Sequence, residues 1–107
     1  MSFKIANINV GINHPPLIIA EIGINHNGSL EIAKKMVDSA KRAGVKIIKH
    51  QTHIANEEMS TIAKSIIPIH TKDNIFEIID KFSLSEKEEF ELLQYTHKNG
   101  LIFISTP

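Results

Sequence analysis

The chain has 107 residues, 42% of them hydrophobic and 22% charged, with 12 basic and 12 acidic side chains and no cysteine. This is room for one small domain of ordinary globular composition, and a formal net charge of zero sets up no field to draw in nucleic acid or anionic lipid. Disulfides and thiolate zinc sites are excluded, no apolar run approaches the roughly 20 residues of a membrane span, and the start MSFK lacks the apolar core of a secretion signal, so a cytoplasmic location of bacterial type is expected.

In chain order, residues 3–10 (FKIANINV) alternate loosely and predict a short β-hairpin. Residues 1–16 form an amino-terminal unit closed by Pro15-Pro16, which donate no backbone hydrogen bonds. Residues 17–22 (LIIAEI) are apolar on both faces, which fits a parallel strand covered on two sides. GINHNG, residues 23–28, is rich in turn formers. Ser29 can cap a helix on which Leu30, Ala33, Met36, Val37 and Ala40 recur at helical spacing, and Gly44 stops it. Residues 45–50 (VKIIKH) predict a second strand, completing a βαβ unit. Residues 51–72 read as a long polar loop with one short helix and a break at Pro68. Ile75, Ile78, Ile79 and Phe82 then mark a short amphipathic helix. SEKE, residues 85–88, is a capping box opening another helix, whose inner face is expected to carry Phe90, Leu93 and His97. Asn99-Gly100 ends it, and residues 101–105 (LIFIS) predict a third buried strand just before Thr106-Pro107.

The β-α-β-α-β rhythm implies an α/β fold, either a doubly wound sheet or a (β/α)8 barrel. A whole barrel takes about 250 residues. Three strands cannot close one, and the edge of a very apolar strand would be left unpaired. A truncated product is therefore expected.

Parity selects the chemical candidates. Leu17, Ile19 and Glu21 share one strand face, and Val45, Ile47 and Lys49 share another. Each charge stands near the carboxyl end of its strand, where α/β sheets and barrels bind ligands. A carboxylate in an apolar strand is costly unless paired or used, so Glu21 and Lys49 are either a structural ion pair or the centre of a site. Thr106 has the parity of Ile102 and Ile104 and is either a phosphate or carboxylate ligand or a plain strand-end threonine. In the GINHNG loop, which matches no phosphate-loop fingerprint, Asn25 and His26 are the polar candidates, as ligands or as parts of a solvated turn. His50 and His53 have H-x-x-H spacing but leave a strand rather than ride a helix, so satisfied or exposed histidines are expected and no metal ligand is assigned; Gln51 between them is suited to a sugar hydroxyl or amide. His14, His70 and His97 are read as structural or surface residues, and Glu86, Glu88, Glu89 and Glu91 as a solvated helix face.

The strings IIAEIGINHNGS, KIIKHQTHI with EEMS shortly after, and GLIFISTP resemble, in this order, the corresponding segments of bacterial N-acetylneuraminate (sialic acid) synthases and their legionaminic and pseudaminic acid relatives. The similarity spans residues 1–107. The resemblance implies that residues 17–107 are about three βα units of a (β/α)8 TIM barrel. The remaining barrel and a small antifreeze-like domain, which in this family covers the partner's active site in a homodimer, would be missing. It implies a transferase that joins phosphoenolpyruvate to N-acetylmannosamine or a related N-acyl amino sugar, giving a nonulosonic acid and phosphate. A divalent metal, Mn2+ or Mg2+, would be held by two histidines on later strands outside this chain. By the same resemblance Glu21 matches the carboxylate near the phosphoenolpyruvate carbon that becomes cationic, and Lys49 the amine that grips phosphoenolpyruvate. Gln51 matches a contact to the acyl-amino sugar and Thr106 a phosphoenolpyruvate ligand, while Asn25 and His26 belong to the same motif as candidate substrate contacts. Alone, the 107-residue chain is expected to be inactive. The competing readings are an inactive truncated fragment and a small anion-binding α/β module.

Overall fold

In the computed structural model, residues 1–68 and 73–107 are described. Strands β1 (Ser2–Ile5) and β2 (Ile8–Gly11) pair antiparallel, with Phe3 opposite Val10 and Ile5 opposite Ile8. Their two-residue turn starts at Ala6, whose φ of 51° is the positive value that hairpin turns matched to strand twist demand. The expected hairpin is therefore present.

The three apolar runs become β3 (Ile19–Gly23), β4 (Ile47–Gln51) and β5 (Ile102–Thr106), a parallel sheet in the order β3-β4-β5. Each begins one or two residues later than the sequence suggests and runs on to its polar end. The first crossover is α1 (Leu30–Arg42), where Ser29 Oγ accepts from the Ile32 amide at 3.2 Å. The second crossover holds the single turns α2 (Ala55–Glu58) and α3 (Thr61–Lys64), then α4 (Ile75–Phe82) and α5 (Glu86–Lys98). Two helical turns thus replace the one expected between residues 51 and 72, because Ser60 caps a second; His70 lies outside the described residues. The capping box at Ser85 and Glu88 forms in both directions, and Asn74 with Glu77 makes another that opens α4. Helices α1 and α5 end alike: the amides of Gly44 and Gly100 reach the carbonyls of Lys41 and His97, and those of Val45 and Leu101 reach Ala40 and Thr96, the paired bonds of a Schellman turn.

Helices α1 and α5 pack on the same face of the sheet. Their Ala33, Val37, Ala40 and Leu92 bury against Ile22 of β3 and Ile48 of β4, with Leu84 and Leu101 closing the core. The inner face of α5 differs from the expected one. Leu92 and Thr96 are buried, whereas Phe90 is 58% exposed and His97 faces solvent. The face runs through Glu89, Leu92 and Thr96, spaced i, i+3 and i+7. Two of its three members are polar, so an apolar stripe could not reveal it. Thr96 is satisfied inside the core by donating to the Leu92 carbonyl at 2.8 Å. On the opposite face Ile47 is buried between its neighbours, and Ile19 and Ile104 stand exposed.

Candidate functional site

Strand register builds the site. Glu21 pairs with Lys49 and Lys49 with Ile104, so the acid and the amine lie side by side on the uncovered face. Lys49 Nζ donates to Glu21 Oε2 at 2.5 Å, and the second carboxylate oxygen, Oε1, accepts from the Gly23 amide at 2.7 Å. The two side chains remain 31% and 40% exposed. An ion pair this open adds only about 0–1 kcal/mol to stability, so it is a poor structural clamp and an accessible charged pair.

One pleat further along, Gln51 pairs with Thr106. Alternation puts both on the face of Glu21 and Lys49. Gly23 allows this convergence: it has φ of +45°, and a Cβ there would stand 3.3 Å from Glu21 Oε1 and 3.5 Å from Gln51 Nε2. Only a residue without a side chain turns the backbone this way and leaves both neighbours room. Gln51 Oε1 lies 3.2 Å from His53 Nε2, and His53 Nδ1 lies 2.9 Å from both oxygens of Glu58. The structure thus brings four sequence candidates, Glu21, Lys49, Gln51 and Thr106, to one end of one sheet face.

The GINHNG residues divide. Asn25 is exposed in the turn, its amide bonded to the Ile22 carbonyl. His26 turns the other way and is fully buried, its Nε2 lying 3.1 Å from His50 Nε2 on the helix-covered side. The structure therefore sets His26 in the core, behind the sheet, rather than beside Lys49. His50 and His53 likewise part, one into the core and one toward Glu58, so their H-x-x-H spacing does not converge. Among the described residues no group of three or more His, Cys, Asp or Glu side chains is placed to hold a metal ion.

Glu89 is the clearest departure from the sequence reading. Its side chain is only 17% exposed. Oε1 accepts from His50 Nδ1 at 3.2 Å, from Ser105 Oγ at 3.2 Å and from Thr52 Oγ1. The acidic run is therefore not one solvated face. Glu88 closes the capping box and Glu89 enters the sheet side, while Glu86 is exposed. Glu89 was detectable only through its helical spacing to Leu92 and Thr96, and Gly23 only through its place two residues after a strand carboxylate. Burial, and next the neighbouring His50, hold the His26 imidazole below its ordinary 6.5, against a weaker opposing pull from Glu88 and Glu89. No helix among the described residues is long and apolar enough to cross a membrane.

Comparison with known proteins bears on the family and the fold. The NeuB family model matches residues 36–107. An uncharacterised protein of Methanocaldococcus jannaschii is 38% identical over 97% of this chain and 28% of its own length. The N,N'-diacetyllegionaminic acid synthase of Campylobacter jejuni is 36% identical over 85% of this chain and 28% of its own. The solved N-acetylneuraminic acid synthetase of Leptospira borgpetersenii superposes on the whole chain with a TM-score of 0.79 and 28% identity, using 34% of its own residues. The present chain thus spans a little over a quarter of the curated relatives it matches, and its α/β fold resembles the amino-terminal part of a sialic acid synthetase. On the extent of these matches, the chain belongs to the NeuB family.

Proposed function

We propose that the uncovered sheet face is the phosphoenolpyruvate end of a nonulosonic acid synthase, one that condenses phosphoenolpyruvate with N-acetylmannosamine or a related N-acyl amino sugar. The observation that carries this reading is the partly exposed Glu21–Lys49 pair, its carboxylate also held by the Gly23 amide, beside Gln51 and Thr106 at the carboxyl ends of three parallel strands. Residues 17–107 supply an arc of a (β/α)8 barrel, with residues 1–16 as a hairpin beside it. Sequential strand order with α1 and α5 on one face favours such an arc over a doubly wound sheet. The complete enzyme is a cytoplasmic homodimer, and its Mn2+ or Mg2+ is held by residues outside this chain.

In this reading each side chain answers a charge. Lys49 binds the carboxylate or phosphate of phosphoenolpyruvate, and the Thr106 hydroxyl donates to the same anion. Gln51 hydrogen-bonds the acyl-amino group of the sugar, and Asn25 lines the rim. The enol carbon of phosphoenolpyruvate attacks the aldehyde carbon of the open-chain sugar, forming the new C–C bond as the C=O π bond opens to an alkoxide, which gains the proton released when water adds, and leaving positive charge at the carbon that bears the phosphate. Glu21 stabilises that cation and orients water onto it. The resulting tetrahedral centre breaks its C–O bond and releases phosphate. In the assembled enzyme Glu21→Gln abolishes turnover while phosphoenolpyruvate binding, followed by calorimetry, changes little; Lys49→Ala loses the binding as well. Turnover surviving Glu21→Gln would end this assignment. Assay of the 107-residue chain with phosphoenolpyruvate, Mn2+ and N-acetylmannosamine should give no product, and anion binding with no bond formation even in a completed barrel would instead favour a simple anion-binding module.

A further inference from the structure

Behind the strand ends, on the helix-covered side, lies a polar cluster that the chemistry above does not use. His26 and His50 are 0% and 1% exposed, and their rings stack 5.3 Å apart. Buried imidazoles need partners, and among the described residues no buried side-chain nitrogen or oxygen lacks one. Their proton positions follow from a single donor. The Gly28 amide lies 3.0 Å from His26 Nδ1. A backbone amide only donates, so Nδ1 is bare and the proton of neutral His26 sits on Nε2. That Nε2–H donates to His50 Nε2 at 3.1 Å. His50 Nε2 is therefore bare as well, and the His50 proton sits on Nδ1, where Glu89 Oε1 accepts it. Hydrogen bonds thus run in one direction, from the turn after β3, across β4, to a carboxylate on α5. The same carboxylate oxygen gathers Thr52 and Ser105, which lie 2.6 Å from each other. A second proton would displace one of these bonds, although the Gly23 carbonyl also accepts from the His26 ring. On His26 it would face the Gly28 N–H, and on His50 it would face the His26 N–H.

We infer that the His26–His50–Glu89 relay is a positioning device for the uncovered face, holding Lys49, Gln51 and Thr106 in register with Glu21 while its run of hydrogen bonds is intact. The coupling is through the backbone: His50 separates Lys49 from Gln51, Ser105 precedes Thr106, and the Thr52 amide donates to the Thr106 carbonyl at 2.8 Å. Alternation then sends His50 and Ser105 to one side of the sheet and their chain neighbours to the other. The charged or titratable groups that bear on His26 are His50 from β4, which adds to burial in lowering its pKa, and Glu88 and Glu89 from α5, which oppose that lowering more weakly. The positioning role rests on reading the uncovered face as a substrate site, but the relay itself does not.

The test is imidazole nitrogen NMR on the whole 107-residue chain. The expected result is opposite tautomers in adjacent rings, with His26 protonated on Nε2 and His50 on Nδ1. On acidification the Lys49 ammonium and Glu21 carboxylate signals, which lie on the other face, shift with the same midpoint as the His26 ring. Glu89→Gln loses the protected His50 Nδ1–H signal and displaces that midpoint. Should Glu89→Gln unfold, Thr52→Val keeps the His50–Glu89 contact and is expected to move the Gln51 and Thr106 signals without changing either tautomer. The same tautomer in both rings, or imidazoles that titrate while the Lys49 and Glu21 signals stay still, would overturn the inference. Opposite tautomers and coupled shifts in a chain that takes up no phosphoenolpyruvate would uphold the relay and overturn the substrate assignment alone.

Discussion

Two faces of the same three strand ends make opposite uses of polar residues. On the uncovered face Glu21 and Lys49 are an acid and an amine left partly in water, worth little as an ion pair. On the covered face His26 and His50 are sealed against Glu89 of α5, where an unmatched polar group costs roughly 1–3 kcal/mol, and each finds a partner. Strand pleating places these two regimes one residue apart, since Lys49 and His50 are consecutive and point oppositely. The difference teaches that the main cost of a substitution is set by the side of the sheet it falls on. Substitutions on the covered face should read out first in folding and, through the relay, in the placing of Lys49, and those on the uncovered face in binding.

That separation can be broken by measurement. The largest effect is expected from Ile48→Ala, which empties a fully buried position between β4 and the helices; chemical denaturation should show a loss of about 2–5 kcal/mol. Glu89→Ala comes next. It strips the acceptor from His50, Thr52 and Ser105 together, and about 1–3 kcal/mol of lost stability is expected in the same assay. A loss near zero would mean that water replaces the carboxylate and that the covered face is wetter than drawn.

The pH response is smaller and has a defined sign. The folded pKa of His26 is lowered from 6.5, so below that pH the unfolded chain binds more protons than the folded one. The His26 contribution is therefore fully present above pH 6.5 and is lost as pH falls, until the lowered folded value is reached. Denaturation series at several pH values should show a slope of up to about 1.4 kcal/mol per unit in that window, flattened in His26→Asn. The smallest change in stability is expected for Lys49→Met, under about 1 kcal/mol, although the same variant should lose phosphoenolpyruvate binding. A loss of several kcal/mol would show the Glu21–Lys49 pair to be a structural clamp after all.

Much of this was readable from local pattern. Ser29, Ser85 and Gly44 announced helix ends because caps depend on a few neighbouring residues. Alternation put Glu21 and Lys49 on one strand face because side chains repeat every two residues. The same logic failed where a residue's partner was distant in the chain. Glu89 looked like one of several surface acids, and His26 like part of a solvated turn. Each is buried by partners that local pattern does not report, His50 and Glu89 being 39 residues apart. On α5 the expected stripe through Phe90 and Leu93 misled because the true inner face mixes Glu89 and Thr96 with Leu92.

The amino-acid order by itself determined the strands, the helix boundaries and the family motifs, since these depend on spacing within a few residues. Tertiary structure alone decided which polar groups are wet and which are sealed. The register of β3 on β4 joined Glu21 to Lys49, and the seat of α5 on the sheet turned Glu89 inward to His50. The physical reason is that burial and hydrogen-bond partnership are properties of neighbours in space, and 24 residues of chain separate His26 from His50 before packing brings their rings together.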